Sequence, residues 1–318
     1  MKFRESKVEI IPQDWSLDGI YKQCEIAGRT AYKSEDRITE GSAKKFVEAL
    51  MKLKHGAVLE HGTVYLTISD GLHGGAFPND EGTEIVNFYE KNPYSKVNSK
   101  YVGMGVYYNY ITTNLRVIFE NDRLDDLQYL CEPTEYHEKR ITAKFICSRS
   151  IAQEITRHRV FSFLMESQRY VSYNKEKFGN SITIIIPEWV KSRINDIASY
   201  DRNDDLAQIP YSEALMDERI EDDISIITWK SAQCVSENYY MRLIELECKA
   251  EEARSVLTND CKTELVMTGF VSDWNHFFDL RSRGTTGKPH PDIKILADNL
   301  LFQFINNNII DENQTNGV

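Results

Sequence analysis

The sequence lacks the patterns that mark membrane and secreted proteins. No run of 18 apolar residues occurs in the 318 positions, so no membrane-spanning helix is expected. The first 15 residues, MKFRESKVEIIPQDW, contain no apolar core of the kind that a signal peptide needs. We therefore expect a cytoplasmic protein.

Common nucleotide and metal signatures are missing as well. No GxGxxG, GxxxxGK[ST] or GxSxG is present, which leaves a Rossmann or P-loop route to nucleotide binding without support. The six cysteines form no CxxC pair, and no HxxxH or HExxH occurs, so we expect no metal site. Cys147 and Cys261 stand at or beside predicted strands and are expected to be packed free thiols.

Acidic residues outnumber basic ones, 49 to 38. The net charge of −11 argues against general nucleic-acid binding, which depends on a positive field, but it allows a local basic pocket for a small anion. The charged fraction of 27% is typical of a globular domain, and 318 residues can bury one large core or two ordinary ones.

Periodicity and capping residues predict a mixture of helices and strands. Helices are expected over 42–56, with Ser42 as cap and Gly56 as stop, and over 150–159, 224–257 (with a break) and 272–283, capped by Ser272 or Asp273. Strands are expected over 63–69, 140–148 and 182–187, and a buried segment over 263–269. The fold class is therefore mixed α/β, with long helices flanking a sheet. The polar stretches 74–100 and 200–223 are interpreted as surface excursions on a single domain.

Residues 156–173, TRHRVFSFLMESQRYVSY, concentrate cations and hydroxyls. Neighbouring helical residues point about 100° apart, so Arg157, His158 and Arg159 cannot share one face of a helix. Either two of them are solvated cations at a helix end, or the helix stops and all three converge on one ligand. Glu166, and Arg169 with its planar fork, follow closely, a set able to grip a sugar hydroxyl and a phosphate.

Three other segments carry candidate functional groups, each with a structural alternative. Glu60 and His61 fall between a predicted helix and a predicted strand, where side chains are often functional, although a lone loop histidine is more often structural. Arg254 lies on a predicted helix, where a salt-bridged arginine is the simpler interpretation. Residues 273–291 combine an apolar face with polar groups and a loop that contains Gly284 and Gly287.

The pattern RHR, seven residues, then serine resembles the flavin-dependent thymidylate synthases, also known as the thymidylate synthase-complementing family. LEHGT upstream, EEARSVL downstream and HFFDLR followed by a histidine resemble the same family in the same order. The resemblance covers most of 40–75 and 140–305. Within a single domain over 1–318, segments of about 74–139 and 195–225 look like insertions.

This resemblance implies a methyltransferase with FAD as its cofactor and a non-Rossmann fold. The enzyme would convert dUMP to dTMP, with 5,10-methylenetetrahydrofolate as carbon donor and NADPH as reductant, and without a cysteine nucleophile. A homotetramer with sites between subunits is also implied.

The family's functional residues carry over to positions of this chain. The implied catalytic residues are Arg281, which would polarise the uracil, Ser167 as a hydrogen-bonding group, and His61 beside the flavin ring. The implied FAD contacts are Thr63, Arg157, His158, Arg159, Asn275, His276 and His290. The implied dUMP contacts are Glu166, Ser167, Gln168, Arg169, Arg254 and Arg281, with the N–H groups of Ser167 and Gln168 facing the phosphate.

The chain departs from the family at one place. Many members carry an acid or amide two residues before the motif serine, where this chain has Met165, so the role of Glu166 is open. A non-catalytic nucleotide- or flavin-binding relative is therefore the alternative function. A phosphate-binding hydrolase that uses Glu60 and His61 would need a metal, for which the sequence offers no ligands.

Overall fold

A computed structural model of the chain describes residues 1–70, 80–103, 105–169, 173, 180–200, 206 and 208–311. The strands are Lys2–Arg4 (β1), Lys7–Ile11 (β2), Thr63–Asp70 (β3), Lys96–Gly103 (β4), Val106–Asn114 (β5), Arg140–Ser148 (β6), Ser162–Met165 (β7), Thr183–Ile185 (β8) and Lys262–Phe270 (β9). The helices are Leu17–Tyr32 (α1), Ser42–Lys52 (α2), Gly56–Leu59 (α3), Asp80–Lys91 (α4), Leu115–Glu120 (α5), Arg149–Ile155 (α6), Glu188–Tyr200 (α7), Tyr211–Ala214 (α8), Ile224–Glu245 (α9), Ala250–Ala253 (α10), Val271–Phe278 (α11) and Pro291–Asn306 (α12). The mixed α/β class is thus confirmed.

The central sheet has the order β2-β6-β9-β7, and every pair in it is antiparallel. This arrangement agrees with the prediction that the fold is not a Rossmann fold, because a Rossmann sheet is mostly parallel. Strands β6 and β9 are buried along nearly their whole length because both faces of the sheet are covered. Their register places Thr142 opposite Thr268, which brings two hydroxyls together inside the protein.

Helices α11 and α12 cover one face of this sheet with aromatic side chains. Trp274, Phe277, Phe278 and Phe304 are fully buried, and the rings of Trp274 and Phe304 lie 5.5 Å apart. Burying one such side chain contributes roughly 1.5–3 kcal/mol. This core anchors the C-terminal part of the chain against the strands that carry the candidate site.

A second sheet, of order β3-β5-β4, is built largely from the segment predicted to be an insertion. Strand β3 pairs antiparallel with β5 along its length, and β5 pairs with β4. Its apolar core includes Val64, Leu66 and Ile111. The segment therefore extends β3, which begins beside the candidate residue His61. The predicted bounds of the two insertions stay predictions, and residues 71–79, 104, 201–205 and 207 lie outside the described residues.

Both predicted ends of the helix over 42–56 are wrong. Helix α2 ends at Lys52, because Lys54 adopts a left-handed conformation with φ 55°, and Gly56 begins α3 instead of ending α2. Gly41 occupies the N-cap position. Ser42 is the first helical residue, and its hydroxyl donates to a Glu25 carboxylate oxygen at 2.7 Å.

The helix predicted over 272–283 is also bounded differently. Phe270 stands at the N-cap of α11, so neither Ser272 nor Asp273 caps it. From Asp279 to Arg283 the chain widens into a π-helix, which ends at Gly284 in the left-handed conformation with φ 70°. The predicted break within 224–257 is confirmed between α9 and α10. Among the described residues, no helix has the length and hydropathy to cross a membrane.

Candidate active site

The three residues Arg157, His158 and Arg159 lie on a turn that follows α6. The helix ends at Ile155, earlier than predicted, and the N–H of His158 donates to the Ile155 carbonyl at 3.1 Å. Arg157 and Arg159 are exposed, whereas His158 turns inward. Within the described residues, neither arginine side chain makes an ion pair or a hydrogen bond. The helix therefore stops before these three residues, as one sequence interpretation expected, but only two of them are exposed cations, and the convergence of all three on one ligand stays a prediction.

Arg281 reaches this turn from the π-helix. Its Nε donates to Nε2 of His158 at 3.1 Å, and its Nη1 lies 3.5 Å from a carboxylate oxygen of Glu154. Burial, reinforced by the positive charge of Arg281, lowers the pKa of His158 to about 4, so its ring is neutral and can accept this bond. π-Helical turns are frequent at functional sites. Two motifs separated by more than 120 positions thus meet through one contact.

His61 is fully buried between the two sheets. Its Nδ1 lies 2.8 Å from Oγ1 of Thr268, which lies 2.8 Å from Oγ1 of Thr142. Its Nε2 is buried without a hydrogen-bond partner among the described residues. Burial, and then the charge of Arg140, lower the pKa of His61 to about 3. The imidazole is therefore neutral and has one nitrogen available for a further partner.

Thr63 is fixed by the side chain of Gln13. The Gln13 amide donates to the Thr63 carbonyl at 2.7 Å and accepts from the Thr63 N–H at 2.9 Å, as a neighbouring strand would. The Thr63 hydroxyl accepts a hydrogen bond from Arg140 at 3.4 Å. The segment that carries His61 and Thr63 is thus ordered by side-chain contacts within the chain.

Gln168 and Arg254 line one cavity of about 410 Å³ together with Arg149. Arg169 lies nearby, with its Nε 3.6 Å from a carboxylate oxygen of Glu251. The structure therefore brings together three of the residues predicted to hold dUMP. Arg149 was missed by the sequence analysis. It is the first residue of α6, and its position directly after a buried strand was a signal that could have identified it.

Glu166 is buried in an ion network. One carboxylate oxygen pairs with the Lys262 ammonium at 2.9 Å, and the other accepts from the Tyr173 hydroxyl at 3.3 Å. These contacts favour a structural role for Glu166, whose predicted sugar contact stays a prediction. The Ser167 N–H donates to the Ala31 carbonyl at 3.0 Å, so only the Ser167 hydroxyl is left for the predicted phosphate contact.

The three predicted flavin contacts near the C-terminal motif lie in different settings. His276 is exposed on α11, and its charge contributes to the lowered pKa of His158, which places it near the turn. Asn275 is half-buried. His290 is exposed and caps α12, because its Nδ1 accepts from the Asp292 N–H at 3.3 Å. His290 thus has a structural role, and its flavin contact stays a prediction.

Acid is expected to destabilise the protein through His61 and His158. Both folded pKa values, about 3 and about 4, lie below the ordinary value of 6.5, so the unfolded chain takes up protons first. Their contribution to stability is complete above pH 6.5 and is lost as the pH falls toward 4. Each histidine adds up to about 1.4 kcal/mol per pH unit to the loss.

Urea unfolding at pH 7, 6 and 5 measures this effect, because these values lie on both sides of the ordinary histidine pKa of about 6.5. His61→Gln should flatten the pH dependence, whereas His55→Gln, at an exposed position with no side-chain capping contact, should leave it as in the wild type. An unfolding free energy that stays constant from pH 7 to pH 5 would show that the two histidines are not held neutral by the fold.

Comparison with known proteins identifies relatives of one kind. Residues 136–306 match the sequence model of the thymidylate synthase complementing protein family. A flavin-dependent thymidylate synthase of Pyrococcus abyssi is 26% identical over 135 residues, 42% of this chain and 43% of that protein. A probable flavin-dependent thymidylate synthase of Paramecium bursaria Chlorella virus 1 is 29% identical over 160 residues, 48% of this chain and 62% of the relative. The chain thus spans about half the length of the curated relatives it matches.

Among solved structures, a UMP/dUMP methylase, PolB from Streptomyces cacaoi bound with 5-Br dUMP, aligns with a TM-score of 0.42 and 16% sequence identity. The alignment covers 96% of this chain and 93% of that one.

Proposed function

Because the chain belongs to the thymidylate synthase complementing protein family, we propose that it is a flavin-dependent thymidylate synthase. It methylates dUMP to dTMP, with FAD as cofactor, 5,10-methylenetetrahydrofolate as carbon donor and NADPH as reductant. The observation that carries this proposal is the 3.1 Å contact between Arg281 and His158, which joins the motif for the pyrimidine to the motif for the flavin.

The residues at the turn fit an anionic dinucleotide. Arg157 and Arg159 are two exposed cations with no partner among the described residues, in a chain whose net charge is −11. Charge-assisted contacts from arginine suit a pyrophosphate. His61, with its unpartnered Nε2, and Thr63 are the residues that would lie at the ring. When bound, FAD supplies the hydride chemistry of the reaction.

Arg281 is the group that acts on the pyrimidine. Its guanidinium, oriented by His158 and Glu154, stabilises the negative charge that develops on the uracil carbonyls as C5 becomes nucleophilic. A donor that is already oriented needs little rearrangement during the reaction. The ion pair between Glu154 and Arg281, at 3.5 Å, helps to keep the side chain in place.

The cavity beside Arg254 holds the nucleotide phosphate. Arg149 and Arg254 line this cavity, and Glu251, which also lines it, pairs with Arg169. A volume of about 410 Å³ lies within the range of small-ligand sites. This assignment separates the phosphate end of dUMP from its base, because α6 places Arg149 and the Arg157 turn at opposite ends of one helix.

A homotetramer forms part of the proposal. Helix α9 exposes Ile224, Val235 and Tyr239, each more than half accessible in the single chain. Burying these side chains against another subunit removes apolar surface from water. Light scattering on the protein as it elutes from a gel-filtration column is expected to give a mass near four times 36.9 kDa. A monomer mass over the whole concentration range would contradict a tetramer.

No cysteine is expected to take part in turnover. Cys147 and Cys261 are fully buried, and burial raises the pKa of each thiol to about 12, so neither is a thiolate at neutral pH. Cys147→Ala and Cys261→Ala should cost about 1–3 kcal/mol of stability and leave the rate per flavin-loaded subunit within a few-fold. Cys248→Ala, at a half-exposed position, is the control. A folded, flavin-loaded cysteine variant with no turnover would refute this expectation.

The proposed function is tested with purified protein, FAD, dUMP, methylenetetrahydrofolate and NADPH. The proposal expects dTMP in the product mixture, and no dTMP when any one component is left out. Bound FAD without dTMP formation would instead support the non-catalytic relative. Protein that binds neither FAD nor dUMP would refute both interpretations.

A further inference from the structure

Strand β6 begins with a buried arginine that none of the motifs accounts for. Arg140 is only 6% exposed, and within the described part of the chain no carboxylate lies within 4 Å of its guanidinium. Burial lowers its pKa to about 10, so the side chain is still charged at neutral pH. A buried charge without an ion-pair partner is costly, and proteins retain such groups where they have a specific use.

The guanidinium of Arg140 bridges two separate segments of the candidate site. Nη1 donates to the Glu60 carbonyl at 3.1 Å and to the Thr63 hydroxyl at 3.4 Å, on either side of His61. Nη2 donates to the Ser162 hydroxyl at 3.3 Å, where β7 leaves the turn that carries Arg157 and Arg159.

The surroundings keep the fork in one orientation. The guanidinium carbon lies 5.5 Å from the centre of the Phe270 ring, and the Arg140 N–H donates to the Tyr65 hydroxyl at 3.0 Å. All of its acceptors are uncharged oxygens, so they fix its direction without cancelling its charge. Nε is buried without a partner among the described residues. The charge of Arg140 also helps to lower the pKa of the neighbouring imidazole of His61.

We propose that Arg140 is a positioning residue for the flavin site: its fork holds the His61 segment and the strand after Arg159 in one fixed arrangement. The inference rests on the proposed function. Lysine cannot replace the fork, because a single ammonium cannot reach acceptors on both segments in the same directions. A purely structural role would instead affect stability alone.

Arg140→Lys and Arg140→Met test this assignment, with Lys139→Met as the matched control, since Lys139 is the exposed residue directly before the strand. We expect both Arg140 variants to weaken FAD binding about tenfold or more, measured by flavin fluorescence on folded protein, as for the loss of a charge-assisted contact. The control should bind FAD as the wild type does. The imidazole ¹⁵N signals of His61 should report one tautomer in the wild type and a mixture in both Arg140 variants.

Wild-type FAD affinity and an unchanged His61 spectrum in folded Arg140→Lys and Arg140→Met would overturn the inference, even if both variants melt at lower temperature. If neither variant folds, Ser162→Ala removes one acceptor of the fork and should weaken FAD binding several-fold; unchanged binding would overturn the inference. A wild-type protein that binds no FAD would refute the proposed function, a result distinct from failure of the Arg140 variants alone.

Discussion

Replacing Arg281 by alanine is expected to lower kcat about 10²–10³-fold, the usual cost of removing a donor aimed at charge that develops in the transition state. The substitution also removes the hydrogen bond to His158 and the contact with Glu154. Because the side chain is half-buried at the end of a helix, the fold should survive its loss. The measurement is kcat at saturating dUMP, normalised to bound flavin.

Arg283→Ala is the matched control, because Arg283 lies on the same π-helix and pairs with Asp279. Arg281→Lys keeps the charge but loses the planar fork, so it should recover only part of the rate. If Arg281→Ala binds FAD and dUMP and turns over at the rate of Arg283→Ala, Arg281 does not act on the reacting pyrimidine.

The double variant Arg157→Ala/Arg159→Ala is expected to lose bound FAD while it stays folded. Each charge-assisted contact contributes roughly 1.5–3 kcal/mol, so each single variant should weaken binding at least about tenfold and the pair about a hundredfold. Both side chains are exposed and have no partner among the described residues, so their removal breaks no contact of the fold. Flavin absorbance after gel filtration measures the loss.

Arg242→Ala provides the control for net charge, since Arg242 is an exposed arginine on α9. It removes one positive charge, as each single variant of the turn does, at a position outside the candidate site. Full flavin content in the double variant would show that the turn is a solvated helix end, which was the simpler interpretation of these cations.

The parts of the fold that follow from local pattern were predictable. The strand over 140–148 is confirmed as β6, because its apolar and β-branched residues suit burial on both faces. Helix ends were less predictable. The residues around Lys54 do not predict its left-handed conformation. The end of α6 at Ile155 depends on how His158 packs against Phe277, with ring centres 5.0 Å apart.

The candidate site was predictable where the chemistry lies in contiguous motifs. The contact between Arg281 and His158 brings two of these motifs together, while their roles at one site stay a prediction. Arg140 and Arg149 were missed because each is an isolated cation at one end of a strand, and its importance appears only through residues distant in sequence. Glu166 lies inside a recognised motif, but its ion pair with Lys262 was not predictable, because that pair depends on the register of β7 and β9.

The folate product is the most direct test of the central claim, that this chain methylates dUMP with reducing equivalents drawn from NADPH. If NADPH supplies the two electrons that convert the transferred methylene group to a methyl group, the folate leaves as tetrahydrofolate, and one NADPH is consumed for each dTMP formed. Chromatography of the products from the FAD-loaded protein should therefore show dTMP and tetrahydrofolate in equal amounts. Dihydrofolate as the product, or dTMP formed equally well without FAD, would contradict the account.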